Sequence, residues 1–100
     1  EDTIPLERYN DFARIGDEIY FAATDGIHGE ELWKSDGTES GTVQVKDINS
    51  RIVDGENLGS FPLGIILSNN ILYFTAFTFS RGFELWRSDG TSAGTYMIKD

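Results

Sequence analysis

The chain has 100 residues, 39% of them hydrophobic and 25% charged, the balance of one small globular domain and not of a disordered or fibrous segment. Seventeen acidic against eight basic side chains leave a net charge of −9, so nucleic-acid backbones and anionic membranes are not expected partners: both would repel such a surface. No apolar run approaches the roughly 18 residues of a membrane span, no signal peptide is expected at Glu1, and the lack of cysteine removes disulfides, thiolate metal sites and cysteine nucleophiles.

In chain order, Phe12 to Ile15 reads as a first strand, closed by Gly16-Asp17, whose leading glycine suits a type II′ hairpin turn. Glu18 to Thr24, rich in aromatic and apolar residues, is the second strand, and Glu30 to Ser35 is the third. Ser35-Asp36-Gly37-Thr38 is turn chemistry: a carboxylate that accepts local N–H bonds, then a residue free to take positive φ. Thr42 to Asp47 alternates Val43 and Val45 with Gln44 and Lys46, a fourth strand. Residues 48–61, with glycines and charges, read as a connection. Beyond it the pattern restarts, with an Asn69-Asn70 turn and strands over Ile71 to Phe77, Phe83 to Ser88 and Thr95 to Asp100. No stretch holds a 3.6-residue apolar period, so little helix is predicted.

The restart is a repeat. Glu31-Leu32-Trp33-Lys34-Ser35-Asp36-Gly37-Thr38 returns 53 residues later as Glu84-Leu85-Trp86-Arg87-Ser88-Asp89-Gly90-Thr91. Residues 29–47 and 82–100 agree at 12 of 19 positions, while 12–28 and 65–81 agree at only 3 of 17, so the second half of each unit is the more constrained. The predicted fold is all-β: two tandem four-stranded antiparallel meanders, 1–47 with an N-terminal lead-in and 62–100, each of the size of a β-propeller blade. A β-sandwich is the alternative, but it does not call for two near-copies of one meander.

Glu-Leu-Trp-x-Ser-Asp-Gly-Thr-x-x-Gly-Thr, followed by a strand ending in Lys-Asp, resembles the ELWxxDGT repeat family over both units. That resemblance implies a secreted or cell-surface, mostly bacterial protein with tandem copies and a propeller-like fold. It implies structural roles for Trp33, Trp86, Asp36, Asp89, Gly37 and Gly90, and it carries no catalytic residue. Closed propellers use about four to eight blades, so two units are expected to belong to a larger propeller or repeat assembly, either in a longer array or by association of copies.

Candidate sites follow from residue chemistry. Trp33 and Trp86 could stack on sugar rings; the alternative is packing between blades with each indole N–H satisfied locally. The Asp36-Gly37 and Asp89-Gly90 turns could offer oxygens to calcium, but each supplies too few carboxylates and turn capping is favoured. Asp25 and Glu30 bound a more acidic loop around His28 that the second unit lacks, the alternative metal candidate in a chain otherwise expected to need no cofactor. Phe77, Phe79 and Phe83 stand where the first unit has Thr24, Gly26 and Glu30, and would form an apolar patch if exposed. His28 is the sole histidine, no nucleophile elbow exists, and Glu30 and Glu31, adjacent on a strand, point to opposite faces, so no enzyme is expected. The predicted function is a structural or adhesive module of an extracellular or cell-surface protein, working by multivalent protein contacts or self-assembly. The alternatives are a lectin-like glycan-binding module and a subunit of a filament or sheath.

Overall fold

A computed structural model describes residues 12–26, 29–50, 52–53 and 55–98. Strands β1 (Phe12–Ile15), β2 (Glu18–Thr24), β3 (Glu30–Ser35) and β4 (Val43–Lys46) form one antiparallel sheet in the order β1-β2-β3-β4. After a two-stranded hairpin of β5 (Ile52–Val53) and β6 (Glu56–Asn57), strands β7 (Leu63–Ser68), β8 (Ile71–Thr78), β9 (Gly82–Ser88) and β10 (Tyr96–Met97) form the second, in the order β10-β9-β8-β7. The described residues contain no helix. Two tandem meanders are therefore present, and the connection of residues 48–61 carries a hairpin that its composition did not announce. The last predicted strand is described only over Tyr96–Met97, extended by the Ile98 N–H, which donates to the Leu85 carbonyl at 2.8 Å; Lys99 and Asp100 lie outside the described residues.

Local chemistry sets the hairpins. Gly16 takes φ 59°, and Asn69 and Asn70 take 52° and 64° between β7 and β8, the left-handed backbone their short polar side chains tolerate. These turns fix the register. In the first sheet Tyr20 lies opposite Lys34 and Ala22 opposite Leu32, so one face carries this set, while Ile19, Phe21 and Trp33 occupy the other. In the second sheet the corresponding pairs are Tyr73–Arg87 and Thr75–Leu85 on one face, Phe74–Trp86 and Leu72–Ser88 on the other.

The sheets pack through faces that do not correspond. Tyr20 and Leu32 of the first sheet join Leu72, Phe74, Ala76 and Trp86 of the second in a single buried cluster. Were the pair a sandwich related by a two-fold axis, Leu85 would mirror Leu32; instead Leu85 is exposed and Leu32 is fully buried. Each completely buried Leu or Phe in this cluster contributes about 1.5–3 kcal/mol of transfer free energy.

The connection threads this junction. Gly59 pairs with Glu30 in a parallel bridge, and the backbones come so close that a side chain on Gly29 or Gly59 would strike main-chain atoms of the other segment. Ser60 donates its N–H to the Glu30 carbonyl at 2.8 Å and accepts the Phe77 N–H at 2.7 Å, tying the first sheet to the second through one residue.

Candidate functional site

The two Ser-Asp-Gly-Thr turns are built identically. Asp36 Oδ1 accepts the Thr38 N–H at 2.9 Å and the Thr38 hydroxyl at 2.6 Å; Asp89 Oδ1 does the same for Thr91 at 3.0 and 2.7 Å. Thr38 Oγ1 in turn accepts the Gly41 N–H, and Ser35 Oγ accepts the Gly37 N–H, each bond recurring 53 residues on. The threonine hydroxyl, then the backbone N–H, hold both aspartate carboxyls below the usual carboxylate range, with Arg87 adding a smaller effect at Asp89. The Ser, Asp and Thr side chains of each turn are thus consumed in closing the loop. Asp36, Gly37, Asp89 and Gly90 are therefore turn-forming residues, as capping chemistry requires.

Above the second turn the first sheet supplies a seat. The Tyr20 hydroxyl lies against Gly90, Lys34 Nζ donates to the Gly90 carbonyl at 3.2 Å, and Lys46 Nζ donates to the Thr95 and Ser92 carbonyls at 2.9 and 3.4 Å. Burial, and then the Glu18 carboxylate 3.2 Å from its hydroxyl, push Tyr20 up to about 12. The tyrosine is a neutral donor and packing element throughout the working pH range.

Glu31, a residue of the repeated motif, sits at the centre of the junction. Its carboxylate is fully buried and accepts the Ser60 hydroxyl at 2.5 Å, the Ile48 N–H at 3.1 Å and the Asn49 N–H at 3.0 Å. Asn49, also buried, donates to the Gly59 carbonyl at 2.7 Å and accepts the Phe79 N–H at 3.3 Å. Burial, with a smaller contribution from the neighbouring Asp47 carboxyl, pushes the Glu31 carboxyl up to about 7 against the pull of its three donors. The roles of Asn49 and Ser60 escaped sequence reasoning because both lie in the connection, outside the repeat. The one signal toward them was the recurrence of Glu31 as Glu84.

The aromatic candidates separate. Trp86 is buried in the core, and Trp33 is half-buried on the open face of the first sheet. The expectation that each indole N–H finds a local partner fails: Nε1 of both tryptophans is buried without one. The cross-strand neighbours of Trp86 are Phe74 and Met97, whose side chains offer no oxygen acceptor, and Gln44 opposite Trp33 leaves its own Oε1 unpaired. Phe77 and Phe83 come together, ring centroids 5.3 Å apart and tilted by 56°, with Phe83 exposed. Phe79 instead lines an open groove of about 440 Å³ with Asn49, Thr78, Arg81 and Trp86. Asp25 is exposed and the Glu30 carbonyl is taken by the connection; His28, between them, lies outside the described residues. Among the described residues no three His, Cys, Asp or Glu side chains gather as a metal ion would require. Nor does any helix there have the length and apolarity to cross a membrane.

What remains is two open apolar surfaces. The first sheet exposes Phe12 and Ile19 on the face turned away from its neighbour, and the second exposes Leu63, Ile66, Phe83 and Leu85 on its own outer face. Comparison with family models, with characterised proteins and with solved structures returned no match.

Proposed function

We propose that this chain is a structural and adhesive repeat module of an extracellular or cell-surface protein, joined to protein surfaces, copies of itself included, by multivalent contact. The observation that carries the reading is the packing of non-corresponding faces: two related sheets meet through non-equivalent sides and leave an uncovered apolar face at each end, which supports a blade-on-blade arrangement. The resemblance of both units to ELWxxDGT repeats supports the tandem arrangement and the location. The reading is non-enzymatic and needs no metal, because Glu31, the buried carboxylate of the junction, is committed to Ile48, Asn49 and Ser60, and the turn carboxylates to their own loops. The test is the mass of the protein in solution as its concentration is raised. Association beyond the 11.2 kDa chain is expected, and a monomer at every concentration overturns the reading.

The groove beside Phe79 favours a second reading, a lectin-like module. An exposed aromatic ring is flanked there by the polar side chains of Asn49, Thr78, Ser80 and Arg81, the mixture a sugar ring takes. Glycan binding abolished by Phe79→Ala with the fold intact would establish it; no binding across a glycan panel would remove it.

A further inference from the structure

Each sheet leaves open the surface its counterpart has buried. Leu32 is 0% exposed beneath the second sheet, and its repeat equivalent Leu85 is 45% exposed. Conversely Leu72 and Ile65 are 0% and 6% exposed against the first sheet, and their equivalents Ile19 and Phe12 are 46% and 54% exposed. The two uncovered faces are thus the two halves of the junction already formed inside the chain. We infer that copies of this protein join head to tail, the Leu85 face of one seating on the Ile19 face of the next as the Leu32 face seats on the second sheet within one chain.

The polar seat is repeated along with the apolar one. Within the chain Tyr20 and Lys34 close over Gly90; Tyr73 and Arg87 occupy the equivalent positions on the open face, and Gly37 occupies that of Gly90. Gly37 has the same turn, with φ 96° against 98°, and open space where a side chain would stand, so the receiving surface is present and uncovered. Arginine at position 87 keeps the donor that lysine provides at position 34. In the open state Arg87 rests 4.8 Å over the Tyr96 ring of its own sheet, poised on the same face. On that face Phe83 replaces Glu30, enlarging the apolar surface where a carboxylate stood. Because the joined faces differ, each copy can accept one neighbour on either side, and association proceeds to a ring if the rotation closes or to a filament if it does not.

Head-to-tail joining presupposes the self-associating module proposed above, and complementation separates the two claims. Leu85→Glu and Ile19→Glu each place a charge in one of the two exposed faces. Each variant alone is expected to sediment as the 11.2 kDa monomer, while an equimolar mixture forms a dimer through the one intact pair of faces. Ile19→Glu that still self-associates, or a mixture that stays monomeric while the unaltered protein assembles, overturns head-to-tail joining and leaves self-association standing. An unaltered protein that never exceeds one chain overturns both. A second measurement, with different substitutions, uses the absence of natural cysteines: Gly37→Cys mixed with Arg87→Cys and a short bismaleimide is expected to give mixed dimers. Cross-linking confined to like pairs overturns the proposal.

Discussion

The segment Gly29 to Leu32 and its copy Gly82 to Leu85 share three of four residues and almost nothing of their surroundings. In the first unit the connection lies against Gly29, Glu31 is enclosed by Ile48, Asn49 and Ser60, and Leu32 is sealed under the second sheet. In the second, nothing comes within 4 Å of a side chain placed at Gly82, Glu84 is half-buried and Leu85 faces outward. The Ser-Asp-Gly-Thr turns, by contrast, match bond for bond. A motif thus specifies what lies within reach of its own chain, strand and turn, while burial and proton affinity come from the neighbouring sheet and connection.

Glu31 should show the largest difference between the copies. Glu31→Ala leaves two buried N–H groups and the Ser60 hydroxyl without an acceptor, an expected loss of about 3 kcal/mol. Glu84→Ala is expected to stay within about 0.5 kcal/mol of the unaltered chain. Urea unfolding midpoints at one fixed protein concentration measure both, and equal losses would break the comparison.

The same carboxyl gives the two units different pH behaviour. Glu31 holds its proton more tightly folded than unfolded, so folding takes up a proton between about pH 4.5 and 7 and stability falls as pH rises through that window. Asp36 and Asp89 act in the opposite sense and in a separate window: their depressed values add stability that is complete above the ordinary value of 3.8 and is lost as pH falls below it. Glu31→Gln is expected to flatten the decline from pH 4.5 to 7 and leave the acid limb unchanged. A decline that survives the substitution would assign it to other charges.

How much of this was legible depends on the range of the interaction. The strands, the Gly16 and Asn69-Asn70 turns and both Asp-Gly-Thr loops could be read because each rests on bonds within one turn or between strands consecutive in the chain. The β5–β6 hairpin could not, since Ile52–Val53 and Glu56–Asn57 are only two residues each, too short to show alternation. Which face of each sheet is buried was also hidden: Ile19-Tyr20-Phe21 is apolar on both sides, and only the seating of Tyr20 on Gly90 chooses between them. The Asn49–Ser60 arrangement around Glu31 spans 18 to 29 residues and involves connection residues with no counterpart to compare.

The two turn glycines sharpen the comparison at smaller scale. Gly37 and Gly90 share a positive φ that side chains rarely adopt, so replacing either with alanine should cost about 1 kcal/mol. At Gly90 the added methyl also meets the Tyr20 hydroxyl and must displace the ring, raising the expected loss to about 2–3 kcal/mol. The excess of Gly90→Ala over Gly37→Ala, read from paired urea curves under dilute conditions, isolates the contribution of the seat from that of the turn. In the assembled protein the excess should shrink, because Gly37 is then covered as well.

The smallest effect belongs to the cations that span the junction. Lys46 gives the first sheet two donors to the Thr95 and Ser92 carbonyls, whereas Arg87 in the second stays on its own sheet, over Tyr96 and 3.4 Å from the Gly94 carbonyl. Lys46→Met keeps the aliphatic stem and removes only the ammonium, so the packing of the stem is preserved and the loss reports the hydrogen bonds alone. Partial solvent access limits that loss to about 1 kcal/mol. Arg87→Met is expected to leave the stability of the single chain unchanged within about 0.5 kcal/mol. Its effect should emerge chiefly as the protein concentration rises, as a weaker association, because Arg87 reaches the Gly37 turn of another unit only when a second copy supplies it. A stability loss from Arg87→Met equal to that from Lys46→Met in the monomer would show that Arg87 contributes as much on its own sheet as Lys46 does across the junction, and that the junction is not what sets the two cations apart.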